Sequence, residues 1–183
     1  PPPPLFFFND TATTEIYTSL FVGSVDVYKR QVMAAAIVTR LSMGKTDVVQ
    51  MLNGAIGGLV AITAEPLMPS PIAAILIGAV GGVIVVYGTK FLFAMKIDDV
   101  VGAVPAHLFA GIWGTLAVPI TNSGANFGTQ LLGVIAINAT VFVIAFIIWA
   151  IMKNTFGIRL SKEAEMKGTD VTETGVIAYA IRD

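Results

Sequence analysis

The stretch KIDDVVGAVPAHLFAGIWG, from Lys96 to Gly114, decides how the rest of the chain is interpreted. It contains His107, the only histidine of the sequence. No residue between Val100 and Ile120 carries a formal charge, and this run reaches the ~20 residues that a helix needs to cross a bilayer. The stretch therefore predicts a membrane-spanning helix that carries one imidazole near mid-depth.

The role of His107 has two interpretations. An ionisable side chain inside a membrane span is costly unless it faces protein or water, so the first reading is a functional histidine. The second is a structural histidine that hydrogen-bonds neighbouring helices together. Small residues around it favour the first reading, because they permit close backbone approach or an open lumen. They are Gly102, Ala103, Ala106, Ala110, Gly111 and Gly114.

The residues one helical turn before and after His107 are Ala103 and Gly111. In an ideal helix both lie on the same face as the histidine. The side chains on that face are small enough for it to form a pore wall. Pro105 lies in the same turn and has no backbone N–H, which removes one intrahelical donor and frees a carbonyl nearby.

Residues 96–118, KIDDVVGAVPAHLFAGIWGTLAV, resemble the penultimate span of the ammonium transporter (Amt) family. The family pattern is an acidic start, a short glycine-containing run, a histidine and then G-x-W-G. The resemblance implies that His107 is the second of the family's twin pore histidines. It also implies that Asp98 and Asp99 are the acidic residues at the cytoplasmic entrance to this helix, where they guide ions or hold structure.

Two further segments carry the same resemblance. LNGAIGGLVAITA, from Leu52 to Ala64, resembles a family signature, and the stretch from Gly157 to Tyr179 resembles the family's cytoplasmic tail. The likeness covers residues 32–183 in the order of the C-terminal portion of an Amt protein. One departure lies at residues 174–176, where Thr-Gly-Val replaces the His-Gly-Glu of many members.

The N-terminal residues 1–31 predict a segment that is foreign to the native protein. NDTATTEIYT, from Asn9 to Thr18, resembles a translated sequencing-library adapter. Phe21–Val25 and Asp26–Gln31 resemble a translation of the transposase end of the same adapter with one base lost, the second part reading as GAT GTG TAT AAG AGA CAG. The alternative is a proline-rich leader followed by a short apolar segment. Because two adapter pieces in their proper order are not expected by chance, we exclude this segment from fold reasoning.

Resequencing of the source DNA across the codon for Val32 tests this origin. We expect the adapter codons to be absent from the genomic locus. Genomic DNA that encodes NDTATTEIYT would contradict the hypothesis.

Five apolar runs follow the excluded segment, and polar or proline-rich turns separate them. They are Val32–Ser42, Val48–Ala64, Ile72–Met95, Val100–Ile120 and Phe127–Met152. The first run is too short to span a bilayer. The sequence therefore predicts an all-α polytopic membrane bundle, a partial Amt-type fold with about four complete spans plus a truncated one in residues 32–152. Residues 153–183 form a polar tail.

The overall composition agrees with a multi-span membrane protein. Hydrophobic residues make up 55% of the chain and the mean hydropathy is +0.80. Lys and Arg number 11 against 12 Asp and Glu, so the sequence offers no basic surface for nucleic acid. Cysteine is absent, which excludes disulfides and thiolate metal sites. No metal or cofactor is predicted.

The basic residues predict the orientation of the spans, because Lys and Arg accumulate in short cytoplasmic loops. They occur between the first and second runs, at the junction of the third and fourth, and after the fifth. The alternate loops, Glu65–Pro71 and Thr121–Asn126, contain none. These two loops are therefore predicted outside the cell, and the C-terminal tail in the cytoplasm.

The resemblance implies an eleven-helix protomer with a pore between two inverted halves, assembled as a homotrimer in the cell membrane. It implies transport of ammonium or ammonia, and a tail that contacts neighbouring subunits and a P-II-type signalling protein. Two alternatives remain: a membrane-embedded ammonium sensor, and a half-pore that conducts nothing by itself. An enzyme is not expected, because the span has no carboxylate beside His107 and the chain has no nucleophile elbow or phosphate loop.

Overall fold

A computed structural model of the chain describes residues 31–65 and 70–177, and all regular structure in these ranges is helical. The helices are α1 (Gln31–Met43), α2 (Val48–Ile62), α3 (Pro71–Ala94), α4 (Val104–Thr121), α5 (Phe127–Thr155) and α6 (Lys162–Lys167). A π-helical turn, Asp170–Thr174, follows α6. The predicted all-α class is confirmed. The predicted foreign segment lies outside the described residues except for Gln31.

Three helices, α3, α4 and α5, are long and apolar enough to cross a membrane. Helix α2 has 15 residues and rises about 22 Å, which is less than the ~30 Å hydrocarbon core of a bilayer. Within the described residues, three helices thus have full spanning length, and α2 is a shorter apolar helix. The predicted second run extended to Ala64, but the helix ends at Ile62 and a turn begins at Thr63, whose hydroxyl donates to the Val60 carbonyl at 2.7 Å.

Helices α2 and α3 begin at residues that satisfy their first backbone N–H groups. The Asp47 carboxylate accepts from the Gln50 N–H at 3.0 Å, and the Ser70 hydroxyl oxygen accepts from the Ala73 N–H at 3.3 Å. Pro71 occupies the first position of α3, where its missing N–H costs nothing. These caps fix where the two helices start.

Glycines allow α2 and α3 to cross with their backbones in contact. A Cβ atom added at Gly81 would lie 2.8 Å from the Gly57 carbonyl oxygen, and one added at Gly82 would lie 3.4 Å from the Gly54 carbonyl oxygen. Such small residues are the usual means by which membrane helices approach closely. A larger side chain at Gly81 would force the two helices apart.

Helix α4 packs against α2 and α3 in the same way. A Cβ at Gly114 would overlap the backbone of Ala61 on α2, so α4 also requires a glycine at its crossing point. The Trp113 indole N–H donates to the Ile77 carbonyl of α3 at 2.9 Å. Ala61, Ile77 and Ala117 form a small buried cluster beside this bond.

The chain divides into two compact units, residues 1–135 and 136–183, and the division falls within α5. None of the residues of α5 is buried. The helix ends at Thr155, so the predicted boundary between spans and tail, after residue 152, falls inside its last turn. In the tail, the Ser161 hydroxyl oxygen caps α6 by accepting from the Ala164 N–H at 3.2 Å.

Gln31 is a buried polar residue at the start of α1. Its side chain is fully buried against Gly58 and Gly78, and neither its amide nitrogen nor its amide oxygen has a hydrogen-bond partner among the residues that the structure describes. An unpaired buried amide costs about 1–3 kcal/mol.

We predict that Gln31→Met, which keeps the length of the side chain and removes its polar atoms, raises the free energy of unfolding by about 1–3 kcal/mol. Gln50→Met is the matched control, because the buried Gln50 accepts a hydrogen bond from the Thr89 hydroxyl at 3.3 Å and should lose stability. Unfolding of both variants in detergent micelles measures the effect. Equal destabilisation by the two substitutions would contradict the prediction.

Candidate functional site

His107 lies in a π-helical turn at the start of α4. The turn covers Val104–Phe109, and an ordinary α-helix continues from Ala110 to Thr121. The Ala110 N–H donates to the Pro105 carbonyl, five residues earlier, which is the π-type pattern. Single π-turns within helices are frequent at functional sites. The only histidine of the sequence therefore lies in the only part of α4 that departs from α-helical geometry.

The two sides of this turn have different surroundings. Ala106 and Ala110 are buried against the neighbouring helices, at 2% and 0% exposure. His107 and Ala103 are exposed on the other side. The imidazole has no hydrogen bond or ion pair with any residue that the structure describes. Within the described residues, His107 thus lies on a free face of α4 and does not tie helices together.

The residues one turn before and after His107 differ in exposure. Ala103 is exposed, whereas Gly111 is half-buried and a Cβ there would lie 3.7 Å from Val60 of α2. That both residues belong to the face of a pore stays a prediction.

An aromatic contact supports the buried side of the π-turn. The ring of Phe109 lies over Gly88 of α3, where any Cβ atom would overlap it. The same ring packs against Phe91 with 6.4 Å between the centroids and an angle of 59°. Pro105 is buried beside Gly88 as well. These contacts hold the turn on α3 and leave His107 on the opposite side.

The two aspartates before α4 differ in their contacts. Both carboxylate oxygens of Asp99 accept backbone hydrogen bonds, from the N–H groups of Ala103 and Val104 at 2.9 Å each. Asp99 therefore caps the first turn of the His107 helix, where a negative charge is favoured by the helix dipole. Asp98 is exposed and makes no such bond in the described part of the chain.

The Val101 carbonyl, just before α4, has a partner on another helix. It accepts a hydrogen bond of 2.8 Å from the side-chain Nδ2 of Asn53, which lies on α2. Pro105 does not create this acceptor, because it lies in the first turn of the helix, where a backbone N–H has no helical partner. The sequence did not predict the contact with Asn53. The available signal was Asn53 itself, a strongly polar side chain inside the apolar run from Val48 to Ala64.

The site offers hydrogen bonding and no metal chemistry within the described residues. A neutral imidazole can donate one hydrogen bond and accept another, and both nitrogens of His107 are available for this. Among residues 31–65 and 70–177 there is no group of three side chains that could hold a metal ion.

Sequence comparisons with known proteins find ammonium transporters. The sequence profile of the Ammonium Transporter Family matches residues 8–179. Ammonium transporter Amt2 of Archaeoglobus fulgidus is 37% identical over 167 residues, which cover 80% of this chain and 36% of that protein. Ammonium transporter Amt1 of Haloferax mediterranei is 35% identical over 152 residues, which cover 80% of this chain and 30% of that protein.

A solved structure of a protein named "Sensor Amt Protein" has a similar fold. The TM-score is 0.77 at 26% sequence identity, and the match covers 84% of this chain and 41% of that one. The chain thus spans about a third of the length of the two transporters it matches. The profile match begins within residues 1–31, whose foreign origin stays a prediction. With its apolar spans and a profile match over most of its length, the chain is a membrane protein that belongs to the Ammonium Transporter Family.

Proposed function

We propose that the complete protein to which this chain belongs transports ammonium or ammonia across the membrane, and that His107 lines the conduction path. The carrying observation is the exposed face of α4, where an imidazole without a partner lies beside Ala103 and opposite the packed face. The names of the related transporters from Archaeoglobus and Haloferax support the substrate. The role is transport and not enzymatic turnover.

The chemistry of such a pore follows from solvation. A charged ammonium ion loses its hydration on entering a narrow, hydrocarbon-walled lumen, and this costs several kcal/mol unless protein groups replace the water. The same desolvation favours the neutral base over its conjugate acid. A neutral molecule of ammonia can then exchange hydrogen bonds with the imidazole of His107, which replaces part of the water it has lost.

The described part of the chain supplies one wall for such a path. His107 faces outward from α2, α3 and α4, so the remaining wall must come from elsewhere in the complete protein. We therefore propose that the 183-residue chain on its own does not conduct. This proposal agrees with the length of the chain, which covers only 36% and 30% of the two related transporters.

A sensor is the second candidate function. The observation in its favour is the fold shared with the solved protein named "Sensor Amt Protein". The two transporters are more similar in sequence, at 37% and 35% against 26% identity. Transport is therefore the better-supported proposal, and uptake by the complete protein separates the two.

The assembly and orientation of the protein are part of the same proposal. We propose a homotrimer in the cell membrane with the C-terminal tail in the cytoplasm. The tail contains the charged helix α6 and the π-helical turn after it, and both carry acidic side chains. An exposed element of this kind suits contact with a P-II-type signalling protein. Asp98, exposed before α4, suits the cytoplasmic entrance of the path.

We predict that His107→Ala in the complete protein preserves folding and trimer formation, because the side chain makes no contact that holds helices together. Ammonium uptake should fall by about tenfold or more, the factor for roughly 1.4 kcal/mol of lost stabilisation along the path. Thr140→Ala on α5 is the control, since the Thr140 hydroxyl bonds only within its own helix.

Uptake, discrimination against potassium and trimer stability would be measured on the same preparations. If His107→Ala leaves ammonium uptake and discrimination against potassium unaltered, His107 has no role in conduction. Loss of the trimer together with uptake would make it structural.

The proposed orientation predicts which loops an impermeant thiol reagent reaches in intact cells. Ser70, Ser123 and Ser161 are all exposed. Cysteines at positions 70 and 123 should react, and one at position 161 should not. Positions 70 and 161 form a matched pair, because Ser70 and Ser161 each cap a helix. Labelling at position 161 without permeabilisation would contradict the orientation.

A further inference from the structure

The link between α2 and the start of the His107 helix is one hydrogen bond. The Val101 carbonyl precedes α4, and Pro105 lies in the first turn of that helix, where a backbone N–H has no helical acceptor. Asn53 of α2 donates to this carbonyl at 2.8 Å, from a position 48 residues earlier in the chain. The bond is exposed, so what it contributes is a fixed direction between α2 and the start of α4.

The backbone beside this bond is shaped to receive the amide of Asn53. Gly102 has φ +73°, a conformation that favours glycine, and a Cβ there would overlap the Asn53 nitrogen. The Gly102 N–H donates to the Asp99 carbonyl at 3.2 Å, and its own carbonyl accepts from the Ala106 N–H at 3.2 Å. Hydrogen bonds thus connect Val101 to α2, and Gly102 both to Asp99 and to the first turn of α4.

Directional contacts matter for helix α4, because much of its interface is formed by small residues. Ala106, Ala110 and Gly114 permit close approach to the neighbouring helices but have no long side chains to interlock, and Phe109 is the large side chain that packs on α3. A smooth surface does little to prevent rotation of a helix about its axis. In its middle turns α4 has one more directional bond, from the Trp113 indole to the Ile77 carbonyl.

We propose that Asn53 is a positioning residue that fixes the rotation of α4, and through it the direction in which His107 points. The proposal rests on the proposed function for its effect on transport, but not for its effect on geometry. Asn53 acts through the Val101 carbonyl and does not itself touch the imidazole. Without its amide donor, α4 can rotate and carry residue 107 toward α2 and α3.

The test uses His107→Cys in the complete protein, with other reactive cysteines removed; this chain contributes none. A small thiol reagent reports how accessible position 107 is. Adding Asn53→Asp, which has the same shape but no amide donor, should lower the labelling rate by roughly fivefold, the factor expected for one net hydrogen bond. Asn53→Gln keeps the donor and should restore part of the rate.

Asn126→Asp is the matched control. The Asn126 side-chain oxygen accepts from the N–H groups of Gly128 and Thr129 at 2.8 and 3.3 Å, and a carboxylate accepts the same bonds. This variant should leave the labelling rate unchanged. An unchanged or increased rate in Asn53→Asp would overturn the proposal.

Asn53→Ala provides a second test that remains informative if Asn53→Asp does not fold. It removes the amide donor to the Val101 carbonyl without introducing a charge, so it should also lower the labelling rate of position 107. An unchanged labelling rate in folded Asn53→Ala protein would also overturn the proposal.

Uptake separates this proposal from the transport proposal. If His107 conducts and Asn53 positions it, Asn53→Asp should lower ammonium uptake in the native background and have no further effect in His107→Ala. An additive loss in the double variant would make Asn53 merely structural. If His107→Ala leaves uptake unchanged, the transport role of His107 fails, while the labelling rates still decide whether Asn53 positions α4.

Discussion

Close backbone approach between α2, α3 and α4 is the constraint on which this structure depends. Membrane helices gain no hydrophobic free energy by leaving lipid, so their association relies on packing contacts and hydrogen bonds. Here Gly57, Gly81 and Gly114 bring the backbones within contact, and a Cβ at Gly81 or Gly114 would collide with a neighbouring backbone. The face of α4 that makes this contact is fixed, and His107 lies on the face that remains free.

The same interface creates the need for polar contacts. Glycine and alanine give proximity but little resistance to rotation or sliding, so the orientation of α4 depends on the packing of Phe109 on α3 and on a few directional bonds. One of these bonds joins the Asn53 amide of α2 to the Val101 carbonyl just before α4. It connects the start of the His107 helix to α2.

Hydropathy was sufficient to predict the all-α class and the order of the apolar helices. The length of α2 was not predictable from hydropathy, because Thr63 and Ala64 extend the uncharged run while the backbone already turns. The π-turn at His107 was not predictable either, since ideal helical spacing does not anticipate it. The partner of Val101 depended on a crossing between helices that no local pattern specifies.

A cysteine scan of α4 in the complete protein tests the central claim most directly, which is that His107 and the packed face lie on opposite sides of this helix. Cysteines would replace Ala103, Ala106, His107 and Ala110 one at a time, and their reaction rates with a small thiol reagent would be compared. We expect rapid reaction at positions 103 and 107 and protection at 106 and 110, which are buried. Protection at 107 together with reaction at 106 and 110 would contradict the claim.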